Sequence, residues 1–305
     1  MGVIRVAIIN YCGALNSAVY GWQDMLSVAN SICLQQNIDA KFVAWVAEPN
    51  ALPNETDVIF IPPSLHEDTY NNPAESLIPW LVHQYSNGSQ IFCNCAGVFI
   101  LAATGLLNGR RATTHWGLFD KFLSAFPQVQ LETSQLIVDE GNVVTAAGLM
   151  AWVDLCLELV QRFSSESIRR TLGKVLVVDT APRQQRYYSQ FSQKQDHFDE
   201  PIRRAQNHIE RSMHASLTNA KLAKVAAIGV RTLQRRFLEA TGFNPKDYIQ
   251  RVRIQRACEI LETSKIEVAE VALKVGYDDP RAFCRRFKAI MGLTPSEYRT
   301  RFSLT

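Results

Sequence analysis

The sequence predicts two unlike domains in one chain of 305 residues: an α/β domain with a mostly parallel sheet and helices on both faces, then an all-α domain. Three observations predict this. Short β-branched runs alternate with helical stretches up to about residue 180, and such alternation builds parallel sheets. After Pro201 there is no strand signal, and helix follows helix. The net charge of +3 is an average over a split: residues 1–186 hold 11 Lys/Arg and 16 Asp/Glu, a net of −5, and residues 187–305 hold 21 and 13, a net of +8. An acidic two-thirds joined to a basic last third suggests two jobs, one of them beside a polyanion.

Residues 3–9, 40–46, 58–61 and 90–94 are β-branched and apolar, the pattern of buried strands. Between them, 18–35 and 74–86 have helical spacing, with Trp22, Met25, Leu26, Ala29 and Ile32 on one face. Residues 136–139 and 143–146 flank Glu140-Gly141-Asn142 and predict a hairpin. Residues 151–163 predict a further amphipathic helix, and the β-rich pattern ends near 176–179. Residues 183–200 are polar and Gln-rich, a linker composition. Tyr187, Tyr188 and Phe191 make its first half equally suited to packing on the first domain. The division expected is 1–185, a linker at 186–204, and 205–305.

The first thirteen residues carry an apolar run only a strand long, so neither a signal peptide nor a membrane anchor is expected. Position 6 is Val6, not the Ser or Thr of a myristoylation motif. No apolar stretch approaches about 18 residues, which argues against a spanning helix. Seven cysteines without a C-x-x-C pair suit a reducing, cytoplasmic protein without a zinc framework. No metal and no cofactor are expected.

The basic third contains a repeat. Arg231-Thr-Leu-Gln-Arg-Arg-Phe237 matches Arg281-Ala-Phe-Cys-Arg-Arg-Phe287, and Gly242, Pro245 and Tyr248 match Gly292, Pro295 and Tyr298, all at an offset of 50. Upstream, Leu222-Ala223 matches Val271-Ala272 at 49. Such regularity marks two copies of one supersecondary unit. In each, a short helix carries Ala223 or Ala272, and a turn follows at Ala227 or Gly276, where Ala227 suits a tight backbone less well. A second helix begins near Val230 or Pro280, with Asp279 the better cap and Gly229 the weaker. Helix, tight turn, helix is the helix-turn-helix unit, whose second helix enters the major groove.

On those second helices Leu233, Phe237, Phe283 and Phe287 face the core, while Arg231, Gln234 and Arg235, like Arg281, Cys284 and Arg285, lie on another face. Arg can bond guanine, and Gln adenine, through two parallel hydrogen bonds. Most charge runs are merely solvated, but the doubling and the +8 charge favour double-stranded DNA as partner. Asn244-Pro-Lys-Asp247 and Thr294-Pro-Ser-Glu297 have capping-box spacing. A helix over 245–263 would join the units rigidly, as reading major grooves about 34–36 Å apart requires.

These residues resemble the AraC/XylS family of transcription regulators over roughly 216–302, and KVGYDDPRAFCRRFKAIMGLTPSEYR resembles its signature. The resemblance implies two recognition helices in adjacent major grooves, with Arg231, Gln234, Arg235, Arg281 and Arg285 facing bases.

In the acidic part, a strand runs through Asn94 into Cys95 and then directly into a helix. A sharp strand-to-helix turn lifts its residue above the sheet and sets the sulfur at a helix N-terminus. His115 follows twenty residues on, the outline of a thiol nucleophile and base, although a lone Cys beside a Gly is more often a buried small residue. CAGVFILAATGLLNGRRATTHW resembles the nucleophile-elbow region of the class I glutamine amidotransferase-like superfamily, with its PfpI-type proteases, and most of all the GlxA-type regulators. It implies a flavodoxin-like fold over about 3–180.

Two departures separate sensor from enzyme. Enzymes of the superfamily place Gly-Gly after the third strand for an oxyanion hole; here the stretch is Ile61-Pro62-Pro63-Ser64, and Pro63 has no N–H to donate. Losing one such donor costs about 10²–10³ in rate. Catalytic members also set a carboxylate on the first strand-helix turn, whereas Gly13-Ala14-Leu15-Asn16-Ser17 has none before Asp24. Cys95 and His115 are therefore expected to be vestigial, with Cys95, Ala96, His115, Trp116 and Asn16 lining a ligand site and no catalytic residue. Trp22, Trp116 and Tyr20 offer aromatic faces for a cation, though core packing is the commoner use.

The function expected is a cytoplasmic, sequence-specific transcription regulator controlled by a small metabolite. The resemblance implies an activator, a homodimer, RNA polymerase as a partner, and an amino-acid-like or amine effector. The rival is a Cys-dependent amidase or hydrolase using Cys95 and His115, fused to a DNA-binding module. Sulfenylation at Cys95 is a redox alternative; Cys93 and Cys95 would point to opposite strand faces, which disfavours a disulfide between them.

Overall fold

The computed structural model describes residues 2–191 and 197–303. The chain falls into two compact units, 1–185 and 186–305.

The first unit opens with β1 (Gly2–Ile9), α1 (Asn16–Gln35) and β2 (Ala40–Ala47), followed by β3 (Val58–Ile61), α2 (Glu67–Asn71), α3 (Leu77–Ser86), β4 (Gln90–Asn94) and α4 (Gly97–Ala103). A short parallel pair, β5 (Arg111–Ala112) and β6 (Gln130–Leu131), brackets α5 (Phe119–Ala125). The hairpin of β7 (Ile137–Asp139) and β8 (Val143–Ala146) then leads to α6 (Trp152–Phe163) and α7 (Glu166–Leu176). The main sheet has the order β2-β1-β3-β4-β8-β7, parallel except for β7. Two apolar cores lie on its faces. One packs α1, α6 and α7 around Trp22, whose ring stacks on Phe60 at 3.8 Å and whose Nε1–H donates to the Trp152 carbonyl. The other packs α3, α4 and α5 around Phe99. This is the doubly wound architecture that strand-helix alternation predicts.

The expected strands and hairpin are present, but the β-rich ending near 176–179 is not. Residues 166–176 are helical, capped by Ser165, whose hydroxyl accepts from Ile168 N–H. The β-branched tail misleads because it ends the helix: Val177 takes a left-handed conformation at φ 56° and is 91% exposed.

Edge strand β2 has a cover. The side-chain amide of Asn30 on α1 donates to the Phe42 carbonyl and accepts from the Phe42 N–H, both at 2.7 Å. It meets the backbone groups that would recruit another strand.

The second unit is helical: α8 (Glu200–Ser212), α9 (Asn219–Ala226), α10 (Val230–Thr241), α11 (Pro245–Thr263), α12 (Val268–Lys274), α13 (Pro280–Met291) and α14 (Pro295–Phe302). Each repeat has its own core, and α11 serves both. Its Tyr248, Ile249 and Val252 join Leu222, Leu233 and Phe237; its Ile254, Ala257, Cys258 and Leu261 join Val271, Phe283 and Phe287. A helix that changes its buried side midway connects the two units without a flexible joint.

The linker expected at 186–204 is ordered at both ends. Tyr188 packs edge-on against Phe302, and Phe191 against Phe243 and Tyr248, while its N–H donates to Gln255. These aromatics therefore pack within the second unit. Helix α8 begins at Glu200. Residues 192–196 of that linker lie outside the described residues.

Candidate DNA interface and candidate ligand site

In both repeats the turn residue is left-handed, Ala227 at φ 56° and Gly276 at φ 86°. The second helices start where their caps end. Asp279 accepts from the N–H groups of Arg281 and Ala282, whereas Gly229 supplies no side-chain cap. Arg231, Gln234, Arg235, Arg281 and Arg285 are all exposed, on the faces opposite Leu233, Phe237, Phe283 and Phe287, which are fully buried. Arg235 makes an i, i+4 pair with Glu239, and Arg285 lies 3.9 Å from Asp279. Both pairs are solvent-exposed and weak enough to yield to a phosphate or base.

The second arginine of each Arg-Arg pair has another task, which the repeat pattern alone does not reveal. Arg236 forks onto Asp199, the cap of α8, with two bonds of 2.7 Å. Arg286 donates to Asp247 at 2.6 Å. The two capping boxes expected also differ. Thr294 and Glu297 close a full box. Asn244 accepts from the Asp247 N–H, but its amide takes one Asp247 oxygen and Arg286 takes the other. The Asp247 carboxyl is held below the usual range by Asn244 first, then Arg286.

One further arginine, missed by sequence reasoning, ties the repeats together. Arg253 on α11 donates from Nε to the Met213 carbonyl at 2.8 Å and from its terminal nitrogen to the Ala215 carbonyl at 2.9 Å. Its guanidinium lies over the Tyr277 ring at 5.5 Å. The same 213–215 backbone packs on Gly276, where a Cβ would come within 2.8 Å of His214 Cα and the Met213 carbonyl.

In the first unit, Cys95 sits at φ 53° between β4 and α4, the strained turn the sequence predicts. Gly97 allows the tight approach, since a Cβ there would lie 2.6 Å from the Pro62 carbonyl. The thiol is only 5% exposed, and burial pushes it up to about 11 against the pull of N–H groups from Ala96, Gly148 and His115. His115 thus reaches the sulfur through its backbone. Its ring Nδ1 accepts from the Gly117 N–H at 3.1 Å, which puts the imidazole proton on Nε2. Burial also lowers the His115 pKa. A base needs a free lone pair aimed at the thiol; this ring spends its own on Gly117.

The five residues expected around a ligand do not form one wall. Ala96 is 1% exposed, and Trp116 tilts against His115 at 4.9 Å, its N–H bound to Gln185. Asn16, at the start of α1, instead lines a cleft of about 630 Å³ with residues of the 10–14, 48–50 and 69–74 segments. Cys95, Ala96, His115 and Trp116 are not part of that lining. Of the aromatics offered for a cation, Trp22 is core and Tyr20 is 52% exposed. Among the described residues no group of His, Cys, Asp or Glu is placed to hold a metal, and no helix is long and apolar enough to cross a membrane.

Comparison with known proteins finds a family model within each unit. The DJ-1/PfpI family model matches residues 24–162, and a helix-turn-helix domain model matches 222–301. The HTH-type transcriptional regulator CdhR of Pseudomonas aeruginosa is 28% identical over 80% of this chain and 72% of its own length. The regulator ArgR of the same species is 27% identical over 70% of this chain and 65% of its own, and GlxA of Rhizobium meliloti 26% over 68% and 64%. A solved protein structure from Vibrio parahaemolyticus shares the fold over 57% of this chain and all of its own, with a TM-score of 0.51 and 21% identity.

Proposed function

From a chain that joins a DJ-1/PfpI domain to an AraC-type helix-turn-helix domain, we propose a one-component transcription regulator in which a small molecule bound by the first domain controls promoter binding by the second. The observation that carries this is the duplicated helix-turn-helix, with Arg231, Gln234 and Arg235 on one recognition helix and Arg281 and Arg285 on the other, all exposed on matching faces. These five side chains read bases; Arg236 and Arg286 hold the helices that present them. The effector acts by favouring one conformation, since equal affinity for both would shift nothing. The protein works as a cytoplasmic homodimer that activates by contacting RNA polymerase.

Catalysis at Cys95 has little support. A thiol pushed up to about 11 is almost wholly protonated at neutral pH. The Pro62-Pro63 carbonyls face the 11–15 loop, where they accept from the Tyr11 hydroxyl and the Leu15 N–H. We read the elbow as a scaffold without turnover.

Footprinting on the native promoter tests the reading. Arg285→Ala should relax preference at one base pair, at a cost of about 1–3 kcal/mol. An unchanged footprint and unchanged base preference would remove Arg285 from the reading face.

A further inference from the structure

We infer that residues 185–191 are the element through which the first unit sets the second: a strap across both repeats that holds their recognition helices in one relation, anchored at its start in the loop beside the elbow. The inference rests on the regulator reading above and gives its control a route.

The anchor is one side chain. Gln185 is 2% exposed. Its amide donates to the Thr114 carbonyl at 3.0 Å and to the Thr133 carbonyl at 2.8 Å, and its oxygen accepts from the Trp116 N–H at 2.8 Å. The Thr114 hydroxyl in turn donates to the Cys95 carbonyl at 2.7 Å. Backbone groups of two loops therefore meet in Gln185, with Thr114 alone between it and the strained turn.

The strap follows without a break, because Gln185 opens the 3-10 turn that runs to Tyr188. Within the second unit it crosses from the second repeat to the first. Arg186 and Tyr187 lie over Gly292, the left-handed residue that ends recognition helix α13. Tyr188 packs edge-on against Phe302 of α14 with ring centres 5.5 Å apart, and Arg301 lies over the Tyr187 ring at 5.5 Å. Phe191 then donates its N–H to Gln255 on α11 at 3.0 Å and sets its ring 5.0 Å from Tyr248, in the core of the first repeat. Residues 186–191 thus touch both repeats and the helix between them.

The duplication supplies a comparison. Gly242 ends α10 as Gly292 ends α13, at φ 76° and φ 80°. A Cβ on Gly242 would meet nothing within 4 Å, whereas on Gly292 it would lie 2.8 Å from the Tyr187 ring, with Arg186 nearer still. The two glycines meet the same backbone requirement, and only one carries the strap. A shift at the start of the strap therefore bears on the end of α13 and, through Phe191, on the first repeat. Reading two grooves depends on how those repeats are set against each other. Coupling between sites is reciprocal, so operator binding is also felt at the Gln185 anchor.

The full chain first selects its operator from a random-sequence DNA library. Gly292→Ala and Gly242→Ala both set an alanine in a left-handed turn, and both should lower Tm. Only Gly292→Ala should lose affinity for the full operator, about tenfold, and accept a one-base-pair change in spacing, with half-length sites bound as before. Hydrogen exchange read by mass spectrometry follows the other end of the strap. Operator binding should slow exchange in the peptide carrying the Trp116 N–H about tenfold. Gln185→Met should remove that change while the recognition helices stay protected. If Gln185→Met folds poorly, Gly292→Ala serves, since it cuts the same route from the far end. Equal effects of the two glycine variants on spacing preference overturn the inference. So does operator binding that leaves exchange at Trp116 unchanged, or a change there that persists in both Gln185→Met and Gly292→Ala. Any of these failures with an operator selected and bound sinks only the strap, whereas a chain that selects no operator sinks the regulator reading with it.

Discussion

Replacing Arg253 with alanine should weaken binding to a full operator while leaving a half-length site almost untouched. The side chain is half-buried and makes two bonds, at 2.8 and 2.9 Å, to carbonyls of the connection between α8 and α9. Hydrogen bonds from a charged donor are worth about 1.5–3 kcal/mol each, and the guanidinium over Tyr277 adds about 0.5–1 kcal/mol. Solvent competition at a half-buried site keeps the total to about 2–4 kcal/mol of unfolding free energy, read as a lower urea midpoint. The functional effect is separate. Arg253 ties the connection leading into the first repeat to Tyr277 of the second, so its loss frees the angle between recognition helices. Affinity for an operator spanning both grooves should fall about tenfold or more, and tolerance of a one-base-pair change in spacing should rise. Salt dependence should stay the same, because a residue that touches no phosphate releases no counterion. If the slope of log affinity against log salt drops by about one, Arg253 is a phosphate contact and the splint reasoning is wrong. Equal losses on half-length and full sites would refute it too.

Arg286→Ala should shift acid unfolding to higher pH. Asp247 has a lowered folded-state pKa, so its stabilisation is complete above the unfolded value near 4 and is lost as the pH falls through the folded one; without Arg286 that loss begins earlier, which circular dichroism against pH would show. Cys95, pushed up to about 11, should have less than about 10⁻³ of its thiol ionised at pH 7.5. Exposed Cys12 should therefore react with iodoacetamide well before it, and mass spectrometry finding comparable rates would revive the hydrolase. The sign on stability is the reverse of the Asp247 case: a raised thiol value leaves stability intact at neutral pH and removes it as the pH climbs from about 9 through about 11. Asn30→Ala should strip the Phe42 backbone groups of their partner at an open sheet edge, at about 1–3 kcal/mol, and light scattering should detect self-association absent from the parent.

The sequence foretells what is local or repeated. Strands β1 to β4 follow from β-branched runs, and an offset of 50 locates both recognition helices and their exposed faces because one unit was written twice. The strained turn at Cys95 follows from a strand meeting a helix with no residues between. What stays hidden depends on contacts far along the chain. Nothing near Arg236 or Arg286 marks them as clamps, since Asp199 and Asp247 lie 37 and 39 residues away. The burial of Cys95 and the turning of the His115 ring onto Gly117 are equally invisible to spacing. Even a local signal fails at Leu176–Val178, where an apolar run rich in β-branched valine ends a helix.

The contrast between Ala227 and Gly276 shows how two copies become one rigid reader. From sequence, the alanine looks like the poorer turn residue, and a left-handed alanine does cost about 1–2 kcal/mol. Both residues nevertheless adopt the same left-handed turn, so the turn itself does not demand glycine. The demand at Gly276 is space, because the 213–215 backbone lies where its Cβ would be. That backbone is the segment Arg253 grips from α11. The segment leading into the first repeat is thus laid against the second and pinned there, with no reciprocal contact required at Ala227. A pair of identical units sharing only α11 would be joined along one axis. The glycine and the arginine add a second attachment off that axis, and two attachments resist both bending and twisting. The small sequence difference between the repeats therefore marks the place where their relative geometry is set.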